Sequence, residues 1–106
     1  MSFEERQAKR RAGNIIYAYK DEQNHKFYYA FGRVIDRDLD VTIKQYMDWW
    51  YKVTPVTKIV PGGPYEYDGR FEVIYKTDEE INFSLFCVQL KWVDNLEELR
   101  TYSDIE

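Results

Sequence analysis

Side chains able to do covalent or acid–base chemistry are sparse in this chain. The single histidine, His25, follows Asp21, Glu22, Gln23 and Asn24 in a stretch that reads as a turn. The single cysteine, Cys87, lies in an apolar run, and neither it nor any serine has an activating neighbour in sequence. One cysteine and one histidine exclude an ordinary structural zinc site, which takes four ligands of those types. Asp36, Asp38 and Asp40 in DRDLD open like a calcium-binding loop, but Val41 and Met47 stand where its glycine and closing glutamate belong. We read these aspartates as loop solvation and as charge suited to a helix start. The PGGP stretch at 61–64 lacks the lysine and hydroxyl residue of a phosphate loop. Nineteen acidic residues guarantee accidental carboxylate pairs, so carboxylate-based catalysis is only a second alternative. The expectation is a chain with no catalytic residues, no metal and no cofactor.

Binding chemistry is better represented. Aromatic residues make up 18% of the chain, ten of them tyrosines. Tyrosine joins a stiff apolar body to a polar tip, which serves a half-wet core, a protein interface or a base-stacking surface. Trp49, Trp50 and Tyr51 are consecutive, and three consecutive helical residues cannot all face one core. Arg6, Lys9 and Arg10 recur at helical spacing and present one basic face. Charge is uneven: residues 1–20 carry five basic and two acidic side chains, residues 77–106 two and eight.

The elements that position these groups can be read from periodicity. Residues 42–53, TIKQYMDWWYKV, form the main helix, with Thr42 and Gln45 as a capping box and Pro55 just beyond its end. Ile43, Tyr46, Met47, Trp50 and Val53 share its apolar face, and Trp49 lies off that face. Either a loop or strand edge covers Trp49, or it is a contact residue for a partner. Residues 3–12 form a short helix opened by Ser2 and Glu5, with Gly13 after it.

Residues 14–20 and 26–35 read as a hairpin in which Tyr17 opposes Tyr29. That register places Ile15, Tyr17, Tyr19, Phe27, Tyr29 and Phe31 on one face, and Ile16, Ala18, Tyr28, Ala30, Gly32 and Val34 on the other. The small residues of the second face give the main helix a seat at Ala18, Ala30 and Gly32. Residues 55–60 form an edge strand, and Asp68-Gly69 turns a hairpin into residues 71–76. Residues 71–76 then pair with 81–92 through a loop centred on Asp78, with Lys76 opposite Glu80. Residues 85–88 would be the deepest part of the core, because that strand is apolar on both sides. Asp94 or Asn95 caps a last helix that turns Leu96, Leu99 and Tyr102 inward.

The fold class expected is therefore α+β. It is a single domain with a mostly antiparallel sheet of about five strands, two hairpins and a short edge strand, packed on one main helix (42–53). Short N- and C-terminal helices flank it, the first peripheral, with a frayed tail at 103–106. The lone cysteine, and the absence of a signal peptide or of an apolar run long enough to span a bilayer, lead us to expect a cytoplasmic chain without membrane contact.

The reading that follows is a small non-enzymatic binding protein, an inhibitor or adaptor acting on a protein partner. Its contact residues would be Trp49, Tyr51, Tyr17, Tyr19, Tyr29, Arg6, Lys9 and Arg10. Low alanine with many lysines, tyrosines and acids suits a phage or mobile-element product. The alternative is a nucleotide or single-stranded nucleic-acid binder that uses Tyr17, Tyr29 and Phe27 as a stacking face. The weak overall basicity speaks against it. A homo-oligomer through the 55–60 edge is the remaining possibility for self-association.

Overall fold

The computed structural model describes residues 2–59 and 71–103. The chain runs α1 (Phe3–Ala12), β1 (Asn14–Asp21), β2 (Lys26–Val34), α2 (Arg37–Trp50), β3 (Thr54–Ile59), β4 (Phe71–Thr77), β5 (Gln89–Trp92) and α3 (Leu96–Arg100). The strands form one five-stranded sheet in the order β3-β4-β2-β1-β5. Every pairing is antiparallel except β1 with β5, which is parallel. The fold is thus the expected α+β domain, and β3 lies at an edge as its proline predicts. The expected turn at Asp68-Gly69 and the PGGP loop lie outside the described residues.

The first hairpin differs from expectation by one residue. Tyr17 opposes Ala30, and Ala18 opposes Tyr29. A bulge between Ile15 and Tyr17 then shifts the register, so that Ile15 meets Arg33. Because side chains alternate, this slip moves β2 to opposite faces relative to β1. Ile16 and Ala18 now share a face with Tyr29 and Phe31, all buried. Tyr17, Tyr19, Tyr28 and Ala30 occupy the other face with Ile74. The turn between the strands supplies the driving geometry. Asp21 accepts from the Asn24 backbone and side chain, and His25 adopts φ 54°, closing a loop of four residues.

Helix α2 begins at Arg37, five residues earlier than the Thr42 capping box implied. Asp36 caps it, accepting from the Asp38 and Leu39 amides at 3.1 and 3.2 Å. Thr42 is an interior residue whose hydroxyl donates to the Asp38 carbonyl at 2.7 Å. The buried stripe is Leu39, Ile43 and Met47 at i, i+4, i+8, and it lies on the Ile16–Ala18–Tyr29–Phe31 face. Fully burying Ile43 and Met47 contributes about 1.5–3 kcal/mol for each side chain. Of the predicted seat, Ala18 is on this face, whereas Ala30 and Gly32 lie on the opposite one.

That opposite face is covered by α3. Asn95 caps this helix, and Leu99 is buried among Ala30 and Ile74, with Leu96 and Tyr102 half-buried beside it. Gly32 serves the close approach here. Its amide donates to the Tyr102 carbonyl at 2.8 Å, and a Cβ would overlap the carbonyls of Tyr102 and Ser103. Ser103 is buried and donates to the Arg100 carbonyl, so it belongs to the folded body rather than to a frayed tail.

The largest departure is at residues 78–88. They form no strand, and β4 pairs with β2 and β3 instead of returning to residue 81. The expected Lys76–Glu80 cross-strand pair does not arise; Lys76 opposes Tyr28 and Thr54. Residues 85–88 are not the core centre either. Leu85 is exposed, Cys87 is half-buried and Val88 alone is buried. The central strand is β2, where Tyr29, Ala30 and Phe31 are buried in succession.

The glycines separate two cases that a stability measurement resolves. Gly32→Ala should lower unfolding free energy by about 2 kcal/mol or more, because the obstacles are backbone carbonyls. Gly13→Ala, whose Cβ would meet nothing closer than 3.7 Å, should change it by about 0.5 kcal/mol or less. Urea titrations of both variants provide the check.

Candidate functional site

While Ile35 before α2 and Phe3 at the start of α1 are exposed elsewhere, three strongly exposed apolar side chains belong to the region where α2 ends. Its C-terminal turn carries Trp49 at 82% and Trp50 at 68% exposure. Leu85, at 76%, faces the same region from segment 78–88. Trp49 is uncovered by any loop or strand among the described residues. Trp50 is also outside the core, contrary to its predicted place on the buried face. The helix ends at Trp50, and Tyr51 turns to extended backbone at φ −133°. Tyr51 and Val53 then point into the cluster that the helical wheel had reserved for Trp50.

Segment 78–88 is held in place by tyrosine hydroxyls. Tyr29 accepts from the Ile81 amide at 2.9 Å, and Tyr51 accepts from the Asn82 amide at 3.2 Å. Tyr46 donates to the Asn82 carbonyl at 2.9 Å. Within the segment, Asn82 Oδ1 accepts from the Ser84 amide, and Phe83 O from the Phe86 amide. At its start, Thr77 donates to the Glu79 carbonyl and Lys26 pairs with Asp78. The lysine beside it holds the Asp78 carboxyl below the usual range. Ile81 and Phe83 are buried, and Phe83 meets the Tyr29 and Phe31 rings edge-on.

Two hollows flank this segment. The smaller, about 390 Å³, is lined by Tyr46, Trp50, Tyr51, Glu79 and Leu85. Its ring packing is fixed: Tyr46 and Tyr51 meet at 5.8 Å and 63°, and Phe86 supports Tyr46 edge-on at 5.1 Å. The neighbouring Tyr51 hydroxyl pushes the Tyr46 phenol up to about 12. The larger hollow, about 600 Å³, lies between Arg11 and residues 80–90, with Phe83, Phe86, Val88 and Leu90 in its wall. Ser84 and Glu80 both line the larger hollow. Among the described residues, no group of three or more His, Cys, Asp or Glu side chains could hold a metal ion. No described helix is long and apolar enough to cross a membrane.

The other sequence-derived contact residues are dispersed. Tyr29 is fully buried, so it offers no partner surface. Burial pushes its phenol up to about 12, against the opposing effect of the Ile81 amide. Tyr17 stacks on Tyr102 with ring centres 3.6 Å apart, and Arg33 covers Tyr102 from 5.6 Å. Tyr19 leans on Tyr28 at 6.1 Å. Tyr17 and Phe27 therefore lie on opposite faces, and the single stacking face required for the nucleic-acid reading is not formed. Arg6 and Lys9 are exposed on α1, while Arg10 stands 3.7 Å from Asp36. Cys87 lies under α1 and donates to the Gln7 carbonyl. Of the eight residues, Tyr51 alone lines the aromatic hollow, with Trp49 two residues before it in the chain.

Comparison of the chain with protein-family models, with curated proteins and with solved structures finds no match.

The Tyr29 hydroxyl yields a pH-resolved expectation. Tyr29→Phe should cost about 1–3 kcal/mol at neutral pH by leaving the Ile81 amide buried without its acceptor. The phenol ionises near 10 when exposed and near 12 in the fold. Above pH 10 the unfolded chain therefore binds fewer protons than the native one, and the hydroxyl's stabilising effect is lost progressively up to about 12. The difference between wild type and Tyr29→Phe should shrink over that window in denaturant titrations. A constant difference would show that the hydroxyl does not titrate with folding.

Proposed function

We propose that the chain is a non-enzymatic binding module, an inhibitor or adaptor that engages a protein partner at the end of α2. The observation that carries this reading is the exposure of Trp49, Trp50 and Leu85, two of which line one hollow, at the end of a helix that buries Ile43 and Met47. Tryptophan is enriched among residues that dominate interface energetics, and a contiguous exposed apolar surface is unusual without a use. The hollow beside it is small for a drug-sized ligand but suits the anchor side chain of a docking segment. Its walls are held by the Tyr46 and Tyr51 hydroxyls, so little ordering would be needed on binding. A reducing, cytoplasmic setting agrees with the lone thiol of Cys87.

The direct test is affinity capture from the source lysate with wild type, Trp49→Ala, Trp50→Ala and Leu85→Ser. Each variant should keep its unfolding free energy to within about 1 kcal/mol, since the side chains are largely outside the core. At least one captured protein should fall by tenfold or more with the tryptophan variants, in line with loss of a hot spot. Identical capture by all four proteins would remove this surface as the binding site.

A further inference from the structure

The hollow at the end of α2 has the chemistry of a cation receptor. Tyr46, Trp50 and Tyr51 supply three aromatic rings, and Glu79 adds a carboxylate on the same wall. An aromatic face attracts a cation through its quadrupole, and a nearby carboxylate strengthens that preference. The surrounding charge points the same way. Asp48 lies in the last turn of α2, and Asp78, Glu79 and Glu80 open the adjoining segment. Lys26, Lys76 and Lys52 all act on Asp78, and Lys26 is engaged with it directly. The last turn of α2 contains no basic residue, so the partial negative charge of the helix end lacks a cation from its own turn.

A comparison within the molecule sharpens the point. Elsewhere the chain places its own cations over aromatic rings. Lys20 lies over Phe27 at 5.8 Å and Arg33 over Tyr102 at 5.6 Å. Lys44 lies 5.8 Å from both Phe31 and Tyr75. Among the described residues, no cation takes such a position over Tyr46, Trp50 or Tyr51. Tyr46, Trp50 and Tyr51 line the hollow together with Glu79.

We infer that the hollow receives an arginine or lysine side chain from the protein partner, on a segment that also presents an apolar residue to Trp49 and Leu85. This inference rests on the partner reading above. The aromatic rings and Glu79 would select the cation, and the outer apolar residues would add area without charge selectivity. Asp48 and Glu80 would disfavour an acidic segment at the same place.

The experiment uses two probes of matched shape, N-acetyl-arginine methylamide and its uncharged citrulline counterpart. Each is titrated into the full chain and followed by amide and indole NMR shifts. The arginine probe should shift the Trp50 indole and the Tyr51 and Glu79 amides, and bind about three- to thirtyfold more tightly than citrulline. Glu79→Gln should reduce that preference at least threefold, while leaving citrulline binding and the dispersed core signals unchanged. Equal binding of both probes, absence of shifts at these residues, or an unchanged preference in Glu79→Gln would each overturn the inference. Failure here is distinct from failure of the partner reading. If lysate capture still depends on Trp49 and Trp50 while the probes bind equally, only the cation is lost. If capture is indifferent to both tryptophans, the surface itself is lost.

Discussion

Segment 78–88 must satisfy its backbone without a neighbouring strand, and much of the architecture follows from how it does so. Buried amides and carbonyls need partners, and in a sheet those come from the adjacent ladder. Here the buried Ile81 amide is taken by the Tyr29 hydroxyl, and the more exposed Asn82 amide and carbonyl by those of Tyr51 and Tyr46. The three come from β2, α2 and the residue that ends α2. They thus tie the central strand, the main helix and the crossing segment at one place. Ile81 and Phe83 can then enter the core while the chain between them remains irregular. Three of the ten tyrosines are accounted for by this arrangement, because each ring contributes apolar area to the cluster and its hydroxyl replaces a strand partner.

The same place depends on the β1–β2 register. Only with Ala18 opposite Tyr29 does the Tyr29 ring lie on the α2 side, where its hydroxyl reaches Ile81. A pairing of Tyr17 with Tyr29 would have been equally apolar on both faces, so side-chain alternation alone could not choose between them. The choice lies in features beyond the hairpin. The four-residue turn that ends at His25 sets the pairing of Asp21 with Lys26, and Gly32 must face α3 to admit the Tyr102 and Ser103 carbonyls. The composition of β2, with Ala30 and Gly32 alternating against Tyr29 and Phe31, serves two close-packed partners on opposite sides. A small-residue face was legible as the seat of a helix; that its occupant is α3 depends on contacts far apart in sequence.

Legibility of the other elements follows the same division. Local signals were sufficient for α1, whose Ser2 cap accepts from Glu5, and for α3, whose Asn95 cap and inward Leu99 are as read. The start of α2 was also written locally, since Leu39 extends the Ile43–Met47 stripe by one turn and Asp36 is a good cap. The aspartates of DRDLD hide that start, because they also suit a solvated loop. Residues 81–92 alternate well enough to pass for a strand, and only non-local facts contradict this: β4 is already paired on both sides, and three tyrosines claim the backbone. Leu85 was assigned to the core by that alternation, and Trp50 by a wheel continued past its last helical residue. Of the surface at the end of α2, Trp49 and Tyr51 could therefore be found in the sequence, whereas Trp50, Tyr46, Glu79 and Leu85 could not be brought to it.

The physical character of that surface follows from its supports. Tyr46 and Tyr51 spend their hydroxyls inward on Asn82, so their rings are oriented from behind and have few rotamers left to lose. Phe86 buttresses Tyr46, and Tyr51 in turn joins the core cluster. Trp50 and Leu85, by contrast, contribute little to that core, and their exposure costs the folded state hydrophobic burial it could otherwise have gained. A fold that seats Ile43 and Met47 fully has no structural use for two indoles and a leucine beyond them. An inner wall braced from behind with an exposed apolar rim is the arrangement in which an incoming side chain would meet prepared contacts first and gather additional area afterwards. In the proposed complex the inner wall would govern which chemistry is accepted, and the rim how tightly the partner holds.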